Sequence, residues 1–256
     1  MSDLQHIKYS ITNGVARLFF NRPPVNVLNI AMMKEINSVL EPLVKDNSVK
    51  LLLITGEGNA FCAGVDVGEH SPDKVSGMIS SFHGMFRLLE SLEIPVVVSV
   101  NGSALGGGME VALAGDIVIA SNQAKFGQPE IKLGFFPPIA AVLLQRHMDW
   151  GRAFEICVTG RTYGAAEMKE FGLVGRVVEP DKLQVETDAV VAELAQNSIP
   201  VMKLAKKTLK AVWGRPFEGA LGEAEGNFLN KLMKLADVQE GIRSFAEKRR
   251  PEWKNS

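Results

Sequence analysis

Three consecutive glycines, Gly106-Gly107-Gly108, stand shortly after a run of β-formers, Val96-Val97-Val98-Ser99-Val100, and lead directly into Met109-Glu110. A triplet in that position dictates a tight strand-to-helix turn. Glycine accepts backbone conformations closed to other residues, and it lets a ligand or another strand come up against the main chain. At a helix start, unpaired N–H groups point outward together with the positive end of the helix dipole. Such a cluster binds a phosphate, or an oxyanion that develops during a reaction. Two phosphate patterns fail here. The lysine and hydroxyl residue of a P-loop are replaced by Met109-Glu110, and the third glycine of G-x-G-x-x-G, counted from Gly106 and Gly108, would fall on Val111. A glutamate behind the N–H cluster would also repel a phosphate. A carbonyl whose oxygen is charged only transiently suits the surroundings better; a plain glycine turn with a glutamate at a helix start is the competing reading.

The rest of the chain alternates strand-like and helix-like segments. Residues 7–20 read as two strands joined at Asn13-Gly14, both of which tolerate positive φ. Apolar residues at Met33, Ile36, Leu40 and Leu43 predict a helix from Ile30 to about Asn47, and a second helix is expected from about Asp73 to Leu92. Leu51–Ile54, Val96–Val100 and Ile117–Ala120 read as buried strands, with a short helix at Met109–Ala114. Strands alternating with helices imply an α/β protein with crossover connections. Past Pro137 the pattern turns helical apart from a β-like island at Leu173–Val178, and from about Pro200 it reads as entirely helical. That tail carries more apolar surface than two or three lone helices could hide, so it must pack on the core or on another subunit.

Composition narrows the class. A chain of 256 residues that is 46% hydrophobic can bury a large core, and a net charge of −1 argues against a dedicated nucleic-acid binder. Cys62 and Cys157 are far apart, which excludes a disulfide framework or a structural zinc site, and His6, His70, His83 and His147 have no metal-ligand spacing. The start, Met1 to His6, lacks the basic head and apolar run of an export signal, and no apolar run reaches the ~20 residues of a membrane span. The expectation is a cytoplasmic protein with no membrane and no nucleic-acid partner and no metal.

A second glycine-containing turn, Phe61-Cys62-Ala63-Gly64-Val65-Asp66, follows the strand at 51–54. Together with Asn101-Gly102 through Gly108-Met109-Glu110 it closely resembles the paired oxyanion-hole segments of the enoyl-CoA hydratase/isomerase (crotonase) superfamily. Asn21-Arg22-Pro23, Asn26-Val27-Leu28, Phe126-Gly127-Gln128-Pro129-Glu130 and Glu240-Gly241-Ile242 leading to Lys248-Arg249 extend the likeness, in the family's order, over nearly the whole chain. The resemblance implies a crotonase-like spiral of repeated ββα units over residues 1–195, carrying the active site. It also implies a C-terminal helical region, 196–256, that assembles a homotrimer or homohexamer. Carried over residue by residue, it gives the N–H groups of Ala63 and Gly107 to a thioester oxygen. Glu110 becomes the base that orients water, and Glu130 the acid that protonates carbon. It places Val25, Val27, Cys62, Val65, Asp66, Val67, Gly106, Pro129, Leu133, Phe136 and Pro138 at the acyl-CoA site. Phe245 and Lys248 are tail residues that touch coenzyme A, often from a neighbouring subunit. No separate cofactor is implied, because coenzyme A arrives as part of the substrate.

Isomerases of the family generally keep only the second glutamate, so the presence of both favours hydration. Water addition needs one group to deprotonate water and one to protonate carbon, and two carboxylates in a closed pocket cannot both ionise cheaply. Where typical hydratases continue with a glycine-rich turn, this chain has Phe135-Phe136-Pro137-Pro138-Ile139-Ala140-Ala141-Val142. That apolar run, with Gly68–Lys74 and the ending Glu247–Trp253, resembles the cyclohexa-1,5-diene-1-carbonyl-CoA hydratases of anaerobic aromatic degradation. The expected activity is therefore hydration of a conjugated, cyclic dienoyl-CoA. The alternatives are a generic short-chain hydratase, a double-bond isomerase, or a scaffold that binds RNA through Lys203, Lys206, Lys207 and Lys210. The four histidines are read as surface or packing residues.

Overall fold

The computed structural model describes residues 4–256; the first three residues of the segment read above for an export signal lie outside them. β1 (Ile7–Thr12) and β2 (Val15–Phe20) pair antiparallel around Asn13 and Gly14, whose φ angles of 53° and 77° match the hairpin expected there. α1 (Ile30–Leu43) begins where the Asn29 side chain accepts from Met32 N. It stops short of Asn47, because Pro42 brings no N–H to its last turn. Then come β3 (Leu51–Gly56), β4 (Ala60–Cys62) and α2 (Val75–Ser91); β5 (Val96–Val100), β6 (Ser103–Leu105) and α3 (Gly107–Leu113); and β7 (Ile117–Ser121) and β8 (Lys125–Gly127), followed by a 3-10 turn at Pro129–Leu133 and α4 (Pro138–Leu143).

In each of these three repeats the first strand joins one sheet, the second strand joins another, and a helix follows. The larger sheet runs β1-β2-β3-β5-β7-β10 and the smaller β4-β6-β8-β9. Each ββα unit thus steps one strand along both sheets, with parallel neighbours throughout the repeats. This is the spiral architecture expected. Sequence reading missed the whole smaller sheet: its four strands have three residues each, too few to show a period of two. β9 (Thr162–Gly164) and β10 (Arg176–Val178) close the two sheets after α5 (Trp150–Thr159), with α6 (Ala165–Glu170) between them.

Both faces of the larger sheet are covered, as parallel strands require. Leu52, Ile54, Val96 and Val98 enter the main core, whereas Leu51, Leu53, Val97 and Ile119 pack under Leu183, Val190 and Val191 of α7 (Leu183–Ala195). The chain ends in α8 (Ile199–Val212), α9 (Phe217–Asn230) and α10 (Ala236–Ala246). The tail is not helical to its end. Lys248 takes φ 52°, and the last residues fold back: Asp237 Oδ1 accepts from Lys254 N at 2.7 Å, Glu240 Oε1 accepts from Glu252 N at 2.9 Å, and Trp253 Nε1 donates to Gln196 O at 2.6 Å. Large apolar side chains remain outward on these helices, among them Leu209, Trp213, Phe217, Phe228, Leu229 and Phe245. No helix among the described residues is long and apolar enough to cross a membrane.

Candidate active site

Two asparagine amides tie the segments that frame the site. Asn26, buried and at φ 54°, donates from Nδ2 to the carbonyls of Glu57 and Ala60 at 2.9 Å, and its Oδ1 accepts from Arg22 N at 2.9 Å. Asn101 donates to Gly58 O at 2.8 Å from the neighbouring repeat. The β3–β4 connection is thereby clasped from both sides. Gly102 and Gly108 have no room for a Cβ, which would land on the carbonyl oxygens of Asn59 and Cys62. This close approach brings the loop after β4 against the start of α3.

Gly106 is held by two demands at once. Its φ of 51° and ψ of −125° are closed to side-chain-bearing residues, and a Cβ there would collide with Glu130 Oε1. Its N–H donates to Gly127 O at 2.8 Å, which leaves the next N–H, that of Gly107, at the first position of α3 without an acceptor among the described residues. The partner expected for it was the N–H of Ala63. That expectation is corrected: Ala63 N donates to Val25 O at 3.0 Å. Two residues on, Val65 N has no acceptor among the described residues, because the bridge to Leu28 engages Gly64 O and Asp66 N instead. Val65 also adjoins Gly107, since a Cβ on Gly107 would lie 2.8 Å from Val65 Cγ2. Val65 and Gly107 are thus a pair of available donors, with Gly64 N also without a backbone acceptor among the described residues.

A cavity of about 420 Å³ opens beside them. Of the residues expected at the site, Ala63, Val65, Val67, Gly106, Glu110, Pro129, Glu130, Leu133, Phe136 and Pro138 line it. Others serve elsewhere. Val25 and Val27 contribute carbonyls, to Ala63 N and to Arg22 Nη1. Cys62 is fully buried, its thiol pushed up to about 12 by burial. Asp66 braces its own turn, accepting from Gly68 N at 3.0 Å and lying 3.6 Å from Arg22. Phe245, 88% exposed, and Lys248 do not line the cavity within this chain. Sequence reading missed one wall, Val75, Met78, Ile79 and Phe82 of α2, although their spacing marks a single helical face. It also missed His70, which lines the cavity rather than the surface.

The two carboxylates meet in this apolar space. Glu110, on the first turn of α3, is 2% exposed, and its Oε1 accepts from Ala140 N at 2.7 Å. Burial, aided by the nearby charge of Glu130, raises its pKa to about 8, against the pull of the Ala140 N–H. Burial also raises Glu130, whose Oε2 is buried with no hydrogen-bond partner among the described residues. The arrangement therefore offers main-chain donors for an oxyanion beside two buried carboxyls whose charges interact. Most of the lysine run on α8 is engaged in ion pairs, while Lys203 donates to Asn47 Oδ1 at 2.9 Å. Lys206 pairs with Asp116 at 2.6 Å, Lys207 with Glu93 at 3.1 Å and Lys210 with Glu90 at 3.5 Å.

Comparison with known proteins agrees with this geometry. A family model described as enoyl-CoA hydratase/isomerase matches residues 10–256. The chain is 35% identical over 247 residues, 94% of its length and 95% of the other's, to a probable enoyl-CoA hydratase of Rhizobium meliloti (strain 1021). It is 33% identical over 244 residues, 94% of its length and 93% of the other's, to a cyclohexa-1,5-dienecarbonyl-CoA hydratase of Thauera aromatica. Among solved structures, an enoyl-CoA hydratase from Bacillus anthracis matches with a TM-score of 0.93 at 30% identity, covering 98% of this chain and 100% of that one. Fold, glycine-built turns and sequence match together place the chain in the enoyl-CoA hydratase/isomerase family.

Proposed function

We infer that this chain is an enoyl-CoA hydratase-type carbon–oxygen lyase acting on a conjugated acyl thioester. The observation that carries this reading is the presence of both Glu110 and Glu130 in one apolar cavity, beside two unpaired main-chain N–H groups. The thioester oxygen accepts from Val65 N and Gly107 N, which stabilise the negative charge that water addition creates there; one such donor is worth about 2.7–4 kcal/mol of barrier. Glu110, oriented by Ala140 N–H, holds and deprotonates water, whose oxygen bonds to the alkene carbon. Glu130 returns a proton to the other carbon, and the enolate collapses to the carbonyl. Coenzyme A is part of the substrate. The step needs Glu110 ionised and Glu130 protonated; with the Glu110 pKa raised to about 8, the ionised form that takes the proton gains population as pH rises towards that value, and a single proton cycles through the site.

The finer reading is a cyclic dienoyl-CoA. It rests on the apolar walls, Phe82 and Phe135 through Pro138, which suit a flat six-membered ring, and on the likeness to the Thauera aromatica protein. A short straight-chain substrate is the second reading, favoured by the likeness, 34% identical over 256 residues, to a short-chain-enoyl-CoA hydratase of Clostridium acetobutylicum. Supplying the purified protein with cyclohexa-1,5-diene-1-carbonyl-CoA and with crotonyl-CoA separates them, by absorbance and product mass. Gain of one water on the ring substrate at the higher kcat/KM is expected; turnover of crotonyl-CoA alone would sink the ring assignment. A shifted double bond with no gain in mass would make the enzyme an isomerase.

A further inference from the structure

Apart from the two carboxylates, His70 carries the one nitrogen or oxygen side-chain group on the cavity wall among the described residues; the other lining residues are hydrocarbon, glycine or methionine. It is held in place. Nδ1 lies 3.1 Å from Asp66 O, and a carbonyl can only accept, so a proton sits on Nδ1, and in the neutral ring Nε2 is the acceptor. The ring packs on Phe135, another lining residue, with centroids 5.0 Å apart. The turn that bears it, Val67–His70, is pinned at its base: Asp66 N donates to Leu28 O at 2.8 Å, and Glu69 Oε2 accepts from Ile30 N at 2.7 Å. The imidazole is thus an oriented acceptor with no protein partner for Nε2 among the described residues.

An acceptor set into an apolar wall discriminates. A ligand that presents only hydrocarbon strips water from Nε2 and returns nothing, whereas a ligand with a hydroxyl replaces that water. We propose that His70 is a specificity-determining residue whose Nε2 accepts a hydrogen bond from a hydroxyl on the acyl group, so that among cyclic acyl thioesters the site prefers those that carry a ring hydroxyl over the bare hydrocarbon ring of the dienoyl reading above. The proposal rests on the thioester reading above. Neither carboxylate duplicates this role, because one of the pair must stay available to protonate carbon and the other to handle water.

The test is equilibrium binding with ligands that cannot react: cyclohexanecarbonyl-CoA and its 3-hydroxy and 4-hydroxy ring derivatives. Calorimetric titration of wild type, His70→Leu and His70→Gln gives, for each protein, the affinity ratio of hydroxylated to parent ligand. At least one hydroxy derivative is expected to bind wild type about fivefold tighter than the parent, in keeping with one net hydrogen bond. His70→Leu abolishes that ratio, and His70→Gln keeps part of it through its amide oxygen. Equal ratios in wild type and His70→Leu, or a wild-type preference for the bare ring, would overturn the proposal while leaving the thioester reading standing. Failure of all three ligands to bind wild type would overturn the proposal together with the cyclic-acyl reading. Should His70→Leu fail to fold, His70→Phe takes its place, and a ratio unchanged from wild type there overturns the proposal equally.

Discussion

Glu110 is the residue at which burial and chemistry oppose each other most directly. Its folded pKa of about 8 lies above that of an exposed glutamate, so the native state favours the neutral form. The contribution is therefore fully present below the unfolded pKa and is lost as pH rises through the folded value of about 8. Glu110→Gln, which can still accept from Ala140 N, is expected to gain on wild type by about 3–4 kcal/mol between roughly pH 5 and pH 8.5 in urea unfolding; parallel pH profiles would refute the raised pKa. The same substitution, and Glu130→Gln, should each lower kcat by roughly 10²–10⁴ while the Kd of a saturated thioester stays within about threefold. Near-normal turnover in either variant is incompatible with a paired-carboxylate mechanism. Gly106→Ala tests the backbone: its Cβ must displace Glu130, so kcat should fall at least tenfold with secondary structure intact by circular dichroism. Both glutamates were legible in the sequence because motif and chemistry coincide there. The second donor was not. Whether Ala63 or Val65 offers its N–H depends on where the Val25 carbonyl lies, which only the docked N-terminal segment decides.

At the scale of elements, what could be read was what had length. β3, β5 and β7 are runs of five or six residues buried on both faces and announce themselves. The smaller sheet is made of three-residue strands specified by pairing with one another, not by their own pattern. Local capping, by contrast, is written in single residues. Asn29 accepts from Met32 N at 2.9 Å, and Asn29→Ala should cost about 1 kcal/mol in chemical denaturation. A change below a few tenths would mean that Glu69, bound to the adjacent Ile30 N, caps α1 sufficiently alone. The non-helical ending was missed because its hydrogen bonds run to Asp237, Glu240 and Gln196, partners that no local window contains.

For the whole molecule, the apolar residues left outward on α8, α9 and α10 call for a partner, and a second copy of the chain is the occupant the family likeness implies. Sedimentation equilibrium should give a trimer or hexamer, and Phe217→Glu with Phe228→Glu should shift it towards monomer; a wild-type monomer at micromolar concentration would remove the premise. Assembly would also decide whether Phe245 and Lys248 reach a neighbouring cavity, as they do not reach their own. The two donors at Val65 and Gly107 belong to the peptide chain itself. No exchange of side chains can delete them, short of proline. Descendants of such a protein can therefore replace Phe135, Phe136, His70 or the α2 face one at a time and sample new acyl groups without first surrendering catalysis. Oxyanion stabilisation is inherited with the backbone, and while both glutamates are kept the diet is free to drift.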